Sequence, residues 1–131
     1  MNTLHGNICD IQVNGGLSLV KVKVGKDVIS TVILETPESA SYLVVDNPIK
    51  VVFKETEVAI GKGSPEISLQ NRISGRIEQI DPGKLLSRVR IATDTGPIDS
   101  VITTNAVDQL ELSPGMEVIT LVKTNEIMLS E

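Results

Sequence analysis

The fold class of this chain is set by the segment Val20-Lys21-Val22-Lys23-Val24-Gly25-Lys26-Asp27. Its valines alternate with lysines, and since successive side chains of a strand point to opposite faces, the pattern predicts a strand with one buried face and one wet face. The glycine that follows favours a tight hairpin, because glycine readily adopts the positive φ that such turns require. The segment therefore predicts an antiparallel sheet.

The same pattern returns sixty-nine positions later, and the repeat runs through the whole 131-residue chain without a gap. In the second copy, Val89 and Ile91 alternate with Arg88 and Arg90. Self-similarity at a fixed period indicates a chain built from copies of one structural unit. Identical residues at equivalent positions include Asn2 and Asn71, Gly6 and Gly75, Ile8 and Ile77, Val32-Ile33 and Val101-Ile102, and Lys54 and Lys123.

Two structural units are predicted, one over residues 1–62 and one over residues 66–131, which meet at Gly61-Lys62-Gly63-Ser64-Pro65. Glycine, serine and proline in this stretch are typical of a short linker. Units of about sixty-five residues seldom bury enough apolar surface alone. We therefore expect the two halves to pack together, the chain to oligomerise, or both.

Each repeat is predicted to have the element order β-β-β-α-β-β. The third strand is expected at Val28–Leu34 and Pro97–Thr103, the fourth at Ile49–Phe53 and Met116–Val122, and the fifth at Glu57–Ile60 and Glu126–Leu129. Five short antiparallel strands in this order favour an OB-like barrel, in which closure removes exposed strand edges. The predicted fold is mainly all-β, with two tandem OB-like five-stranded antiparallel barrels; a five-stranded sandwich is the alternative.

One short helix is predicted between the third and fourth strands of each repeat. Thr36-Pro37-Glu38 places a hydroxyl residue at an N-cap and proline at the first helical position. Asn105-Ala106-Val107-Asp108 stands at the equivalent position of the second repeat and offers an amide cap instead. Two chemically equivalent caps at one repeat position favour a helix in both copies.

The composition excludes several functions. Twelve basic residues against seventeen acidic ones give a net charge of −5, so the chain lacks the basic face that duplex DNA requires. Its two aromatic residues, Tyr42 and Phe53, are too few for stacking the bases of a single strand. With only His5 and Cys9, one chain cannot build a two-histidine zinc site, a cysteine cluster or an intrachain disulfide.

The chain is expected to be a soluble cytoplasmic protein. Residues 1–12 show neither a basic start nor an apolar stretch of signal-peptide length. Uninterrupted apolar runs are short, such as Val51-Val52-Phe53, whereas a membrane span needs about 18–20 residues. A single unpaired cysteine suits a reducing compartment. Neither a nucleic-acid partner nor a membrane partner is expected.

Catalysis is not expected either. A nucleophilic triad needs a base close to a serine or cysteine, and the one histidine is His5, near the N-terminus. Cys9 falls within an apolar alternation and is expected to be a small buried hydrophobic residue. Gly61-Lys62-Gly63-Ser64 lacks the spacing of a phosphate-binding loop. The sequence therefore predicts a protein that is not an enzyme.

A polar segment at the start of the second repeat is the main candidate for ligand binding. Ser68-Leu69-Gln70-Asn71-Arg72 brings a hydroxyl, two amides and a guanidinium into five residues. Together with backbone N–H groups, such donors suit a tetrahedral oxyanion. A polar surface strand is the alternative. Lys54 and Lys123, at the same position of the two repeats, either add positive charge or are simply solvated.

The segment Ser68–Ile77 resembles the opening motif of the Mop (TOBE) family, roughly Ser-Ala-Arg-Asn-x-Leu-x-Gly-x-Val. The resemblance continues through Val101–Val107 and Leu121–Leu129, and it extends more weakly to residues 1–62. The whole chain is thus similar to the tandem-repeat (di-Mop) molbindins. This resemblance implies OB-like barrels that bind molybdate or tungstate, with no other cofactor, for intracellular storage. It also implies sites between the barrels of a symmetric homo-oligomer, for which we expect a trimer.

The resemblance further implies a set of oxyanion-binding residues. Ser68 and Asn71 match the serine and asparagine of the motif, and Lys123 matches a lysine that supplies positive charge to the oxyanion. Gln70 stands where the family often has arginine, so one charged bidentate donor is lost. The full expected set is Ser68, Leu69, Gln70, Asn71, Arg72 and Lys123 from the second repeat, with Asn2 and Lys54 from the first.

The two repeats are expected to make unequal sites, because the first begins at Met1-Asn2 and has no residues equivalent to Ser68 and Gln70. Two other functions stay open at this point. One is a ligand-free interaction or assembly module. The other is a detached oxyanion-sensor domain that acts with a separate transporter or regulator. The sequence has no helix-turn-helix and no Walker motif, so the sensor role would need another polypeptide.

Overall fold

The computed structural model describes all residues from 1 to 131 and contains ten strands and one α-helix. The strands are β1 (Asn2–Asn14), β2 (Leu17–Val24), β3 (Asp27–Ile33), β4 (Pro48–Phe53), β5 (Ala59–Gly61), β6 (Asn71–Asp81), β7 (Leu86–Ala92), β8 (Ile98–Thr103), β9 (Glu117–Val122) and β10 (Met128–Ser130). The helix α1 spans Thr104–Gln109, and short 3-10 turns occupy Glu55–Glu57 and Thr124–Glu126. No helix in the protein combines the length and the apolar character needed to cross a bilayer.

The strands form two five-stranded antiparallel sheets, which confirms the predicted fold class. The strand orders are β10-β4-β1-β2-β3 and β5-β9-β6-β7-β8. Each sheet contains the first four strands of one repeat and the fifth strand of the other repeat, because β10 pairs with β4 and β5 pairs with β9. The division into residues 1–62 and 66–131 stays a prediction about the sequence repeat, since each sheet draws on both sides of it.

The strand β2 shows why the alternating segment folds as it does. Val20, Val22 and Val24 are at most 2% exposed, whereas Lys21 and Lys23 lie on the other face. Burying a valine side chain contributes about 1.5–3 kcal/mol relative to leaving it in water. Since β2 lies between β1 and β3, its valines have a paired strand on each side.

The first strand of each repeat, β1 and β6, is long and carries a β-bulge. The register of β1 against β2 shifts between Ile8 and Asp10, and that of β6 against β7 shifts at the equivalent place, between Ile77 and Gln79. A bulge adds one residue and interrupts the in–out alternation of side chains. The prediction that Cys9 is buried is therefore wrong, because this residue lies in the bulge and is exposed.

Only the second repeat forms the predicted helix. The helix α1 begins after Thr103, whose hydroxyl accepts a hydrogen bond from a backbone N–H, so the cap lies two residues earlier than Asn105. In the first repeat a single turn stands there, closed by a 2.8 Å bond from the Ala40 N–H to the Thr36 carbonyl. The prediction of a helix in the first repeat is wrong, because residues 41–45 combine serine, tyrosine and valines, which favour helix weakly.

The main core is shared between the two repeats. Its sixteen buried residues include Val51 and Phe53 from the first repeat, and Ile73, Ile98 and Ile127 from the second. A smaller cluster of six buried residues lies within the second repeat alone. The halves therefore pack against each other, which is one of the two outcomes expected for units of this size.

Candidate functional site

The predicted oxyanion motif lies at one end of the β6–β9 ladder. Asn71 opens β6 and pairs with Val122, the last residue of β9. One step beyond this pair, Gln70 precedes β6 and Lys123 follows β9. Because paired antiparallel strands keep their flanking residues close together, the fold places Gln70 and Lys123 at the same edge of the sheet.

The motif side chains differ in how much solvent they meet. Ser68, Gln70 and Lys123 are exposed, and Leu69 is half-buried. Lys123 makes no ion pair with any carboxylate of the chain. An exposed ammonium without a partner has its three N–H donors available to an anion from solution.

Arg72 fixes the shape of the loop that carries the motif. Its side chain is half-buried, and its Nε donates to the Leu69 carbonyl at 3.1 Å while an Nη donates to the Ile67 carbonyl at 2.9 Å. A guanidinium has five N–H donors in a planar fork, so three remain after these two contacts. Arg72 thus braces the loop and also adds positive charge beside it.

Asn71 joins the motif to the other repeat. It is 2% exposed, and its amide nitrogen donates to the Ser30 carbonyl at 2.8 Å while its amide oxygen accepts from the Ser30 N–H at 2.7 Å. The side-chain amide therefore takes the place of a backbone amide of a neighbouring strand, and it pairs with the edge of β3 that faces away from β2. Its amide is occupied by this contact, so Asn71 positions the motif next to β3.

Asn2 of the first repeat makes the same contact with the second repeat. It is 6% exposed, donates to the Asp99 carbonyl at 2.8 Å and accepts from the Asp99 N–H at 2.8 Å. Asp99 and Ser30 occupy the same position of the two repeats. The two asparagines therefore make contacts related by the internal duplication, and each one binds the third strand of the opposite repeat.

Two buried hydroxyl groups repeat this reciprocal arrangement. Thr31 donates from its hydroxyl to the Ile127 carbonyl at 2.8 Å, and Ser100 donates to the Val58 carbonyl at 2.7 Å. These four residues are also related by the sixty-nine-residue repeat. A buried hydrogen bond of this kind contributes roughly 0.5–1.5 kcal/mol, and leaving its acceptor unpaired costs more. The contact between the repeats is thus polar as well as apolar.

The first repeat retains only part of the motif environment. Lys54 follows β4, is exposed and makes no ion pair. The N-terminal amine of Met1 contacts the carboxylate of Glu55, and this contact lowers the pKa of Glu55, with a smaller lowering from the charge of Arg88. A carboxylate therefore stands beside Lys54 where the second repeat has Thr124 beside its lysine.

The strand next to the second motif offers further donors. Ser30 is 9% exposed, and its hydroxyl has no hydrogen-bond partner in the chain, because its two bonds to Asn71 use only backbone groups. Ser30 faces Lys21 across the β2–β3 ladder. Since the Ser30 backbone groups bind Asn71, this is a non-hydrogen-bonded pair, in which the two side chains lie close together on one face.

The strand next to the first motif carries a carboxylate instead. Asp99 accepts hydrogen bonds from the Nε and Nη2 atoms of Arg90 at 2.9 and 3.2 Å, and from Nη1 of Arg88 at 3.1 Å. The hydrogen bond with Arg90 holds the pKa of Asp99 below its ordinary value, and Arg88 adds to this lowering. The Asp99 side chain is only 15% exposed, so this carboxylate is a tightly held internal anion.

One pocket of the chain lies away from both motifs. It has a volume of about 570 Å³, and its lining includes Lys26 and Arg76 but none of the eight predicted site residues. Both cations are already paired, Lys26 with Asp94 at 2.7 Å and Arg76 with Glu117 at 3.2 Å. This pocket therefore offers no free cation to an oxyanion.

Sequence reasoning did not identify Lys21, Ser30 and Asp99 as neighbours of the motifs. The sequence did contain a relevant signal. When the two repeats are aligned, Ser30 falls at the same position as Asp99, and Lys21 at the same position as Arg90. A neutral hydroxyl and an acid at one shared position indicate that the copies have diverged there. Only the fold shows that this position adjoins the motif of the other repeat.

Part of the chain is similar to a known domain family. Residues 67–129 match the model of the TOBE domain. The molybdenum-pterin-binding protein MopB of Rhodobacter capsulatus is 38% identical over 73 residues, which are 53% of this chain and 27% of that protein. The chain therefore spans about a quarter of the length of this curated relative.

Two solved structures show similar folds. The cytoplasmic molybdate-binding protein ModG, in a form with molybdate bound, has a TM-score of 0.90 at 23% identity, over 98% of this chain and 94% of that one. A molybdate-binding protein from Sporomusa ovata has a TM-score of 0.50 at 25% identity, over 51% of this chain and all of that one. With a TOBE domain over residues 67–129 and the two-sheet fold of ModG, the chain is similar to the Mop/TOBE molybdate-binding proteins.

Proposed function

We propose that this protein binds molybdate or tungstate without catalysis and serves as a cytoplasmic store of the oxyanion, with no other cofactor. The relatives named above bind molybdate or a molybdenum compound. The second repeat supplies the principal site, and the first repeat a weaker one. The proposed ligand residues are Ser68, Leu69, Gln70, Asn71, Arg72 and Lys123, with Lys54 and Asn2 at the equivalent place in the first repeat.

One observation carries the proposal more than any other. Lys123 has no ion pair and lies at the same sheet edge as Gln70, next to the loop that Arg72 braces. An unpaired cation, an amide, the Ser68 hydroxyl and loop N–H groups form the donor set that a tetrahedral dianion requires.

The overall charge shapes how such a site would work. At a net charge of −5, the protein repels an anion at long range. Capture must therefore come from local donors, and charge-assisted hydrogen bonds contribute roughly 1.5–3 kcal/mol each. Several such bonds are enough for micromolar affinity, which corresponds to about 8 kcal/mol, after the costs of binding.

We also propose that the complete site forms between barrels of a homo-oligomer, most simply a trimer of two-repeat chains. Ser68, Gln70 and Lys123 are exposed on a single chain. A second copy packed over this edge would exclude water from the anion, and interactions with an anion strengthen as water is removed. The units 1–62 and 66–131 would then act as two barrels of unequal binding strength.

Titration calorimetry tests the proposal directly. Molybdate, tungstate and sulfate are titrated into the protein after its mass in solution has been measured. We expect molybdate or tungstate to bind in the micromolar range. If equilibrium dialysis shows no uptake at about 100 μM, a concentration well above the expected Kd, oxyanion storage is rejected.

One observation favours a second function, a ligand-free assembly or interaction module. Both motif asparagines, Asn2 and Asn71, use their amides to join the two repeats, so the motif has a structural role without any ligand. This function predicts the same oligomer with no thermal shift on addition of molybdate. A sensor role with a separate transporter or regulator would instead show oxyanion binding and a partner captured only in its presence.

A further inference from the structure

We propose that Asp99 is an internal anion that occupies the oxyanion position of the first repeat, so that external oxyanion binds mainly at the second motif and only weakly at the first. This inference rests on the proposed function and adds to it a residue that decides how many oxyanions one chain takes up. It also explains why the two motifs differ in charge although the fold repeats them.

The two positions compared are equivalent by the internal duplication. Asn71 binds the backbone of Ser30 with two hydrogen bonds, and Asn2 binds the backbone of Asp99 in the same way. The side chains of Ser30 and Asp99 therefore start from matched backbone positions next to matched motifs. Any difference between the two sites at this point comes from the side chains themselves.

Beside the first motif, the guanidinium groups of Arg88 and Arg90 are already paired with a carboxylate. Asp99 takes three hydrogen bonds from Arg90 and Arg88, each between 2.9 and 3.2 Å. These are charge-assisted contacts of the type that a bound oxyanion would make with the same guanidinium groups. An external dianion arriving here would meet a like charge in the place it needs, and such a juxtaposition costs several kcal/mol.

At the second motif, the equivalent groups are free. Ser30 is 9% exposed as a residue, its hydroxyl has no hydrogen-bond partner in the chain, and Lys21, which faces it across the ladder, makes no ion pair. Lys123 is also unpaired. Ser30 and Lys21 of the first repeat thus add a hydroxyl donor and a cation to the motif of the second repeat.

Exchange of the two side chains tests this assignment. The number of molybdate ions bound per chain is measured by equilibrium dialysis for the wild type, Asp99→Ser and Ser30→Asp. We expect the bound number to rise about twofold in Asp99→Ser, because Arg88 and Arg90 no longer face a like charge to the ligand. We expect Ser30→Asp to weaken binding at the second motif by at least about tenfold, through the same repulsion.

Two further variants serve as a charge control and as a substitute in case Asp99→Ser does not fold. Asp94→Ser removes one negative charge from an exposed pair with Lys26, away from both motifs, and should bind as the wild type does. Asp99→Asn keeps the size of the side chain and should also raise the bound number, so the test stands if Asp99→Ser fails to fold. The oligomeric state of each variant is checked by light scattering.

The outcomes separate this inference from the proposed function. If the wild type binds molybdate and neither Asp99 variant binds more, the internal-anion role is overturned and the proposed function stands. If the wild type binds none while Asp99→Ser binds some, the internal-anion role is supported and storage by the natural protein is rejected. If neither the wild type nor Asp99→Ser binds molybdate, the internal-anion role and the proposed function are both overturned. If the number of bound molybdate ions rises in Asp94→Ser as much as in Asp99→Ser, the specific role of Asp99 is overturned.

Discussion

The side-chain amide of Asn71 and the backbone of Ser30 exchange two hydrogen bonds, at 2.8 and 2.7 Å, across the boundary between the two repeats. Asn2 and Asp99 form the matching pair on the other side of the molecule. These asparagines match the family motif, yet their amides face the neighbouring strand. Their first task is therefore to hold each motif in position against the opposite repeat.

Asn71→Ala should destabilise the protein strongly. The substitution leaves the buried N–H and carbonyl of Ser30 without partners, and we expect a loss of about 2–4 kcal/mol in the free energy of unfolding. Urea denaturation measures the loss. Asn105→Ala is the control, since Asn105 is exposed and makes no side-chain hydrogen bond. Equal effects of the two substitutions would contradict the structural role.

Lys123→Ala should weaken molybdate binding at least about tenfold, because an unpaired cation beside the motif contributes one of the stronger, charge-assisted contacts. Lys54→Ala should have a smaller effect, since Glu55 stands beside it. Calorimetric titration gives both affinities, and Lys84→Ala, an exposed lysine of the β6–β7 hairpin, is the control. An affinity unchanged in Lys123→Ala would remove Lys123 from the site.

Gly75→Ala should also destabilise the fold, by about 1–3 kcal/mol, through crowding of the core. A Cβ at position 75 would lie 2.5 Å from Cγ2 of Ile91 and 2.6 Å from the Ala92 carbonyl. Gly16→Ala is the matched control, because nothing lies within 4 Å of a Cβ built there. Thermal unfolding of the two variants separates crowding from the general effect of removing a glycine, and a stable Gly75→Ala would refute the close approach.

The contribution of Asp99 to stability should depend on pH. Its pKa is lowered in the folded protein by Arg90 and Arg88, so the stabilisation is complete above the unfolded-state pKa of about 3.9. It is lost as the pH falls through the lower folded-state pKa. The difference in unfolding free energy between wild type and Asp99→Asn should therefore stay constant from neutral pH to about pH 5 and shrink at lower pH.

The measurement is urea unfolding at a series of pH values. Asp94→Asn is a useful comparison, because the Asp94–Lys26 pair is fully exposed and screened by salt. Its difference from wild type should be smaller at every pH. A gap for Asp99→Asn that stayed constant down to pH 2 would show that the carboxylate charge does not stabilise the fold.

Cleavage between the repeats should not separate them. Each sheet contains a strand from the other repeat, and the main core includes residues of both. A protease recognition sequence placed within residues 62–65 would allow the chain to be cut after folding. We expect both fragments to co-elute in size-exclusion chromatography and to separate only in denaturant. Separation in native buffer would contradict the observed strand exchange.

The local elements of the fold could be predicted because they depend on neighbouring residues. Alternation over Val20–Val24 and the Gly25 turn place β2 and its hairpin correctly, since both follow from side-chain direction and backbone freedom. The prediction of a helix in the first repeat was wrong because a good cap at Thr36 could not compensate for the weak helix formers after it. Cys9 was misplaced because nothing in the sequence marks the bulge that holds it.

Long-range pairings could not be predicted in the same way. The fifth strands β5 and β10 follow nearly equivalent sequences, so either could pair with either fourth strand, and the choice depends on the packing of the whole chain. The motif residues around Asn71 and Lys123 could be found from the family resemblance. Ser30, Lys21 and Asp99 could not, because their place beside the motifs exists only once the two repeats are packed together.

The exchanged strands bear on how such a chain could have arisen. A lone repeat with this topology would lack one edge of its sheet and could complete it only by associating with a twin. In that ancestral pair, every mutation would appear on both sides at once. Fusion of the twins into one gene frees each side to change separately, so that a serine at position 30 and an aspartate at position 99 can coexist in one molecule.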